Sequence, residues 1–180
     1  MSLDTAKKLI DLILEPNDKN QYITYENTKG IILDFIGGEP LLQSKLINDI
    51  IDYFQYKALI LDSPYKDKFR ASICTNGVLY FSKDAQELIK KHKNVLALNV
   101  TVDGCKEMHD ACRVFPDGSP SYDLAVAADM DLLKINPHTS TKLTIAPENV
   151  SSVYKASKHM IELGHKYINI NCVFEEGWNI

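Results

Sequence analysis

Arranged cysteine is what this chain lacks. Its 180 residues hold four cysteines, Cys74, Cys105, Cys112 and Cys172. They form no Cys-x-x-Cys pair and no dense framework, which excludes disulfide-stapled scaffolds and cysteine-rich zinc modules. Free thiols in a reducing, cytoplasmic setting are the expectation. No apolar stretch approaches the ~20 residues of a membrane helix, so no membrane partner is expected. Lys7, Lys8 and Asp11 interrupt the apolar core that a signal peptide would need. Surplus basic charge is missing too. Lys and Arg number 20 against 24 Asp and Glu, a net charge of −4, and there is no basic stripe for a nucleic acid. Gly-x-x-x-x-Gly-Lys and Gly-x-Gly-x-x-Gly are absent, and with them the phosphate cradles they build. There is no internal repeat and no low-complexity tract.

What the chain does have is a regular alternation of short apolar runs with amphipathic stretches. Ala6, Leu9, Ile10 and Ile13 recur at helical spacing, and Pro16-Asn17-Asp18 ends that helix. Residues 1–29 therefore read as an N-terminal helix and a polar linker, and residues 30–180 as one domain. Within it, parallel strands are predicted at about 31–36, 71–75, 95–101, 142–146 and 167–172, in sequential order. Helices are predicted between them. The first has Leu42, Leu46, Ile47, Ile50, Ile51 and Phe54 on one face. The others follow Ser82, run from Tyr122 to Leu133, and run from Val150 to Leu163 with Gly164 as the C-terminal cap. Such alternation implies an α/β fold with a parallel sheet, of the partial or open kind because a closed eight-fold barrel needs more chain.

In parallel α/β folds ligands meet the loops at the carboxyl ends of the strands. Here those loops read Gly37-Gly38-Glu39-Pro40, Thr75-Asn76-Gly77, Thr101-Val102-Asp103-Gly104, Ala146-Pro147-Glu148-Asn149 and, after Cys172, Glu175-Glu176-Gly177. They are small, polar and rich in acceptors. The opposite ends, such as Lys29-Gly30 and Phe69-Arg70, are not. Turns and caps need Gly, Asn and Asp in any case, which accounts for part of this asymmetry. Paired glycines let backbone approach a ligand closely, and carbonyls beside a carboxylate suit a cationic amine.

The order strand–Gly37-Gly38-Glu39-Pro40–helix, then Thr75-Asn76-Gly77, then Thr101-Val102-Asp103-Gly104 with His109-Asp110 and Arg113, resembles the radical S-adenosylmethionine (SAM) family. Within it, the chain is similar to the branch that modifies peptides and proteins, which includes sulfatase-maturating enzymes and ribosomal-peptide maturases. The stretch from Asp110 to Tyr122 adds to that likeness. The resemblance implies a partial (β/α) barrel and two cofactors, SAM and a 4Fe–4S cluster. In the family the cluster passes an electron, received from an external donor, to SAM. SAM then yields a 5′-deoxyadenosyl radical that takes hydrogen from a peptide or protein substrate. It also implies that the carbonyls of Gly37 and Gly38 and the carboxylate of Glu39, with Pro40 completing the loop, hold the SAM amino group. Thr101 would meet the SAM carboxylate or ribose. Asn76 and Asp103 share that face, and Asp103 is also suited to anchoring the Gly104 turn.

The family's cluster motif, Cys-x-x-x-Cys-x-x-Cys, is absent from the sequence. The chain is therefore expected to be a fragment that binds neither cofactor by itself, with the cluster loop upstream and an extension downstream. No residue here is assigned to a metal: His109, Asp110 and Cys112 are competent ligand types but read as one polar loop. Cys74 reads as a small core residue and Asn149 as a helix cap. A second reading is a degenerate, inactive barrel that holds a peptide. A third is an unrelated acid–base enzyme using Glu39 and Asp103.

Overall fold

The computed structural model describes residues 1–15 and 28–174. The predicted stop at Pro16-Asn17-Asp18, most of the linker with Tyr22 and Tyr25, and Glu175-Glu176-Gly177 lie outside the described residues. The elements run α1 (Leu3–Leu14), β1 (Ile31–Phe35), a 3-10 turn (Pro40–Gln43), α2 (Ser44–Ile60), β2 (Phe69–Thr75), α3 (Lys83–His92), β3 (Leu96–Val100), α4 (Lys106–Cys112), α5 (Tyr122–Ile135), β4 (Thr141–Ile145), a second 3-10 turn (Val150–Ser152), α6 (Val153–Glu162) and β5 (Ile168–Cys172). Among the described residues no helix is long and apolar enough to cross a membrane.

The chain is an α/β fold whose five strands fall into two small sheets, ordered β1-β2-β3 and β4-β5. β1 pairs in parallel with β2, from Ile31 with Phe69 to Phe35 with Ile73. β4 pairs in parallel with β5, from Thr141 with Ile168 to Ile145 with Cys172. The strands keep the expected sequential order, but the one parallel sheet expected is divided in two. After Val100 the backbone makes a single parallel bridge, Thr101 to Lys142, and then turns away at Gly104, whose φ is +95°. One bridging pair is too short to make a continuous ladder.

Two compact units share the chain: Met1–Ile73 with Ser82–Ala97, and Cys74–Phe81 with Leu98–Ile180. β2 and β3 each run from the first into the second. In the first unit, the Ser2 hydroxyl caps α1 by accepting from the Thr5 N–H at 3.2 Å. α1 buries Ala6, Ile10 and Leu14, whereas the predicted inward Leu9 is 51% exposed. The segment Leu-Ile-Asp-Leu-Ile-Leu is apolar on nearly every side, so its period does not settle which side faces in. Tyr53 of α2 donates to Asp11 of α1 at 2.7 Å, and the Lys57 ammonium sits 3.1 Å from Asp11 and 2.5 Å from Glu15. α2 buries Ile47, Ile50, Ile51, Phe54 and Ala58, with the Phe54 and Phe69 rings 4.7 Å apart. Leu42 lies outside this face and is exposed, because Pro40 to Gln43 form a 3-10 turn ahead of the helix. α3 starts at a Ser82 cap. Its buried His92 donates to Asn48 Oδ1 at 3.1 Å.

In the second unit, the loop after β2 packs tightly against α5. A Cβ on Gly77, which has φ +80°, would lie 2.9 Å from Val100 Cγ1 and 3.2 Å from Ala125 Cα. The fully buried Tyr80 donates to Asp131 of α5 at 2.7 Å. Leu143, Ile145 and Ala156 form an apolar cluster under β4 and α6, with Met108, Val153 and Ile168 around it. α6 closes as expected: Gly164 has φ +103°, and the His165 N–H reaches back to the Met160 carbonyl at 3.1 Å. His165 and Asp129 form a fully buried pair at 2.5 Å.

Candidate functional site

Gly37 to Pro40 follow the carboxyl end of β1. Gly37 and Gly38 have φ of +99° and +46°, and a Cβ at either would meet nothing within 4 Å. Backbone conformation, not crowding, therefore calls for glycine, and the loop is open to solvent. Glu39 caps the following turn: its Oε1 accepts from the Leu41 N–H at 3.0 Å. Pro40 occupies the first position of that turn and is buried with Leu41. The Ser44 hydroxyl donates to the Leu41 carbonyl at 2.7 Å. A rigid base thus carries an exposed pair of glycines and a half-buried carboxylate.

The remaining candidates lie in the second unit. Thr75 and Asn76 build the turn after β2. Thr75 Oγ1 accepts from the Gly77 N–H, and Asn76 Oδ1 from the Val78 N–H, both at 3.0 Å. Thr101 is buried. Its N–H donates to the Thr75 carbonyl at 2.9 Å, and its hydroxyl lies 3.5 Å from the Cys74 thiol. Asp103 is 3% exposed. One carboxylate oxygen accepts from the Thr144 N–H at 2.7 Å, and the other is bound by Arg113 Nε. The structure therefore joins Thr75, Thr101 and Asp103 along the ends of β2 and β3 and ties Asp103 to β4. Gly37 to Pro40 stand in the first unit.

The stretch after Gly104 is not the expected polar loop. It is α4, and it buries a histidine. The Asp103 N–H donates to His109 Nδ1 at 3.2 Å, so Nε2 carries the proton and donates to the Ser121 hydroxyl at 3.1 Å. Ser121 in turn donates to the Arg113 carbonyl at 2.8 Å. Burial holds the His109 pKa below its ordinary value, with Arg113 adding in the same direction and Asp103 and Asp110 opposing. Asp110 Oδ1 accepts from the N–H groups of Ser121 and Tyr122, at 3.1 and 2.9 Å, which places a carboxylate at the start of α5. His109, Asp110 and Arg113 thus brace the β3 end, α4 and α5. The signal was their spacing after Asp103, but α4 offers no apolar period because its inward side chain is a histidine. Asn149 is a second correction. It does not cap a helix with its side chain. Its amide closes the loop after β4 instead, accepting from Ala146 N–H at 2.8 Å and donating to the Thr144 carbonyl at 3.3 Å.

No family model matches the chain. An uncharacterised protein of Methanocaldococcus jannaschii, MJ0907, is 28% identical over 172 residues, which is 95% of this chain and 52% of that protein. Among solved structures, the anaerobic sulfatase-maturating enzyme anSMEcpe with bound SAM matches 100% of this chain with a TM-score of 0.74 at 18% identity. The chain shares the fold of a radical SAM enzyme. The same enzyme with SAM and the Cp18Cys peptide gives a TM-score of 0.72 at 20% identity over 98% of this chain. The likeness spans 46% of that enzyme's own chain in both structures, so this chain covers about half the length of the proteins it matches.

The radical SAM fold implies two cofactors, and the residues present fit them differently. For SAM, the Gly37-Gly38 backbone and the Glu39 carboxylate are acceptors at an open strand end, and an ammonium group is a donor. For a 4Fe–4S cluster the fit fails. The sequence has no Cys-x-x-x-Cys-x-x-Cys, and among the described residues no three His, Cys, Asp or Glu side chains converge.

Proposed function

We propose that these residues are the SAM-binding part of a radical SAM enzyme, built as a partial (β/α) barrel, that modifies a peptide or protein and draws electrons from an external donor. The observation that carries this reading is the fold match to a SAM-bound maturase along the whole chain, joined to an open Gly37-Gly38-Glu39-Pro40 loop at the end of β1. That enzyme's peptide complexes support a peptide partner. When bound, SAM supplies the hydrogen-abstracting chemistry of this enzyme class. The chain's own contribution is to bind and orient. The carbonyls of Gly37 and Gly38 and the Glu39 carboxylate would accept from the SAM ammonium. Pro40 would hold the loop's shape. From strand ends of the second unit, Thr101 would contribute a hydroxyl and Asn76 an amide, while Asp103, held by the Thr144 N–H and Arg113, would keep that end in shape. The electron-delivering cluster has no Cys-x-x-x-Cys-x-x-Cys ligand set in these residues.

The test uses a polypeptide that joins these residues to a Cys-x-x-x-Cys-x-x-Cys segment, assayed anaerobically with a chemical reductant for 5′-deoxyadenosine. The parent is expected to form it. Glu39→Gln keeps an oxygen to accept from the Leu41 N–H, so the turn stays capped while the charge is lost. A charge-assisted hydrogen bond contributes roughly 1.5–3 kcal/mol, and each ~1.4 kcal/mol is tenfold. Cleavage at low SAM should fall by about one to two orders of magnitude. Equal rates would mean that Gly37 to Pro40 are only a turn. Peptide retention with no 5′-deoxyadenosine from the parent would instead favour the inactive peptide-binding barrel.

A further inference from the structure

We propose that none of the four cysteines is a cluster ligand and that the chain folds as an iron-free protein with two fast and two slow thiols. The inference does not depend on the SAM reading above. Iron–sulfur clusters take several thiolates at one place, and the four cysteines occupy four different places. Cys74 lies within β2, half-buried, its thiol 3.5 Å from the Thr101 hydroxyl. Cys105 immediately precedes α4, at its N-cap position, and is half-buried. Cys112 ends α4 and is exposed. It stands seven positions beyond Cys105, a rise of roughly 10 Å at 1.5 Å per residue of helix. Cys172 ends β5 and is exposed.

The same placement orders their reactivity. A thiol attacks as the accessible thiolate. Cys112 and Cys172 are open to reagent. Cys74 and Cys105 are part-covered. These residues therefore contribute a metal-independent fold, unlike small metal domains that unfold when chelated.

Two measurements on the 180-residue chain test this. First, native protein is titrated with an aromatic disulfide reagent. Two thiols should react in a fast phase, two more slowly, and all four at once in denaturant. Cys112→Ser and Cys172→Ser should each remove one fast equivalent. Second, the protein is incubated anaerobically with ferrous iron and sulfide and then desalted. It should retain no iron and show no brown absorption, and a chelator should not move its melting temperature. Stoichiometric iron that is lost in Cys→Ser variants would overturn the proposal. So would a native titration whose fast phase survives in the Cys112→Ser, Cys172→Ser double variant. Failure of SAM cleavage in the longer polypeptide would leave both results unchanged, so the two readings fail separately.

Discussion

His109→Phe probes the brace at the end of β3 directly. Phenylalanine keeps the ring's bulk at a site only 1% exposed but removes both nitrogens. The Asp103 N–H loses its acceptor, and the Ser121 hydroxyl loses one of its two partners. Two net hydrogen bonds at about 1 kcal/mol each, plus part of the ~1–3 kcal/mol for an orphaned buried donor, give roughly 2–4 kcal/mol. For a chain of this length that corresponds to a melting point lower by on the order of 5–10 °C. The pH dependence gives a second readout. Burial holds the folded pKa of His109 below its ordinary value, so the unfolded chain takes up that proton first as pH falls. The contribution is fully present above about pH 6.5 and declines below it, by up to ~1.4 kcal/mol per pH unit until the folded pKa is reached. Urea unfolding at pH 7.5, 6.5, 6.0 and 5.5 should therefore show the parent losing stability faster than the variant. His92 is shifted down by burial as well, so the variant keeps part of the slope. Equal stability of parent and variant at pH 7.5, or parallel pH curves, would refute the hydrogen-bond assignment.

Two further substitutions test the same unit. Gly77→Ala places a methyl 2.9 Å from Val100 Cγ1 at a backbone angle of +80°; it should cost more than His109→Phe and lower soluble yield, measured by thermal melts. Asp110→Ala removes the acceptor for two N–H groups at the start of α5. It should cost about 0.5–2 kcal/mol, as for other lost caps, whereas Asp110→Asn should recover most of this in urea unfolding.

The strand positions were legible because parallel strands are short apolar runs bounded by turn residues, even in β1 and β5, where much of the strand is exposed. Expected at 142–146 and 167–172, the last two form at Thr141–Ile145 and Ile168–Cys172. The Gly77, Gly104 and Gly164 turns were readable for the same reason. What sequence could not supply was the use of polar residues as core. α4 stayed hidden because His109 stands where an aliphatic residue would set the period. Asp103 was weighed between ligand and anchor, yet nothing in its neighbours announced that Arg113 and the Thr144 N–H would share its two oxygens. Asn149 looked like a cap because it precedes a helix, but its amide is spent on its own loop. The inward side of α1 was undetermined where nearly every residue is apolar.

The segment between α4 and α5 leaves and re-enters the fold through one narrow neck. Val114 bridges Pro120, Phe115 N–H donates to the Ser119 carbonyl at 2.9 Å, and Asp110 clasps Ser121 and Tyr122 below them. Its tip, Pro116-Asp117-Gly118, is exposed and carries none of the brace. Chain length added there is closed off from the rest, and each doubling of a loop costs only ~0.6 kcal/mol. The tip is thus a natural port for an inserted epitope, one that would leave the Asp103–Arg113 pair and the start of α5 as they are.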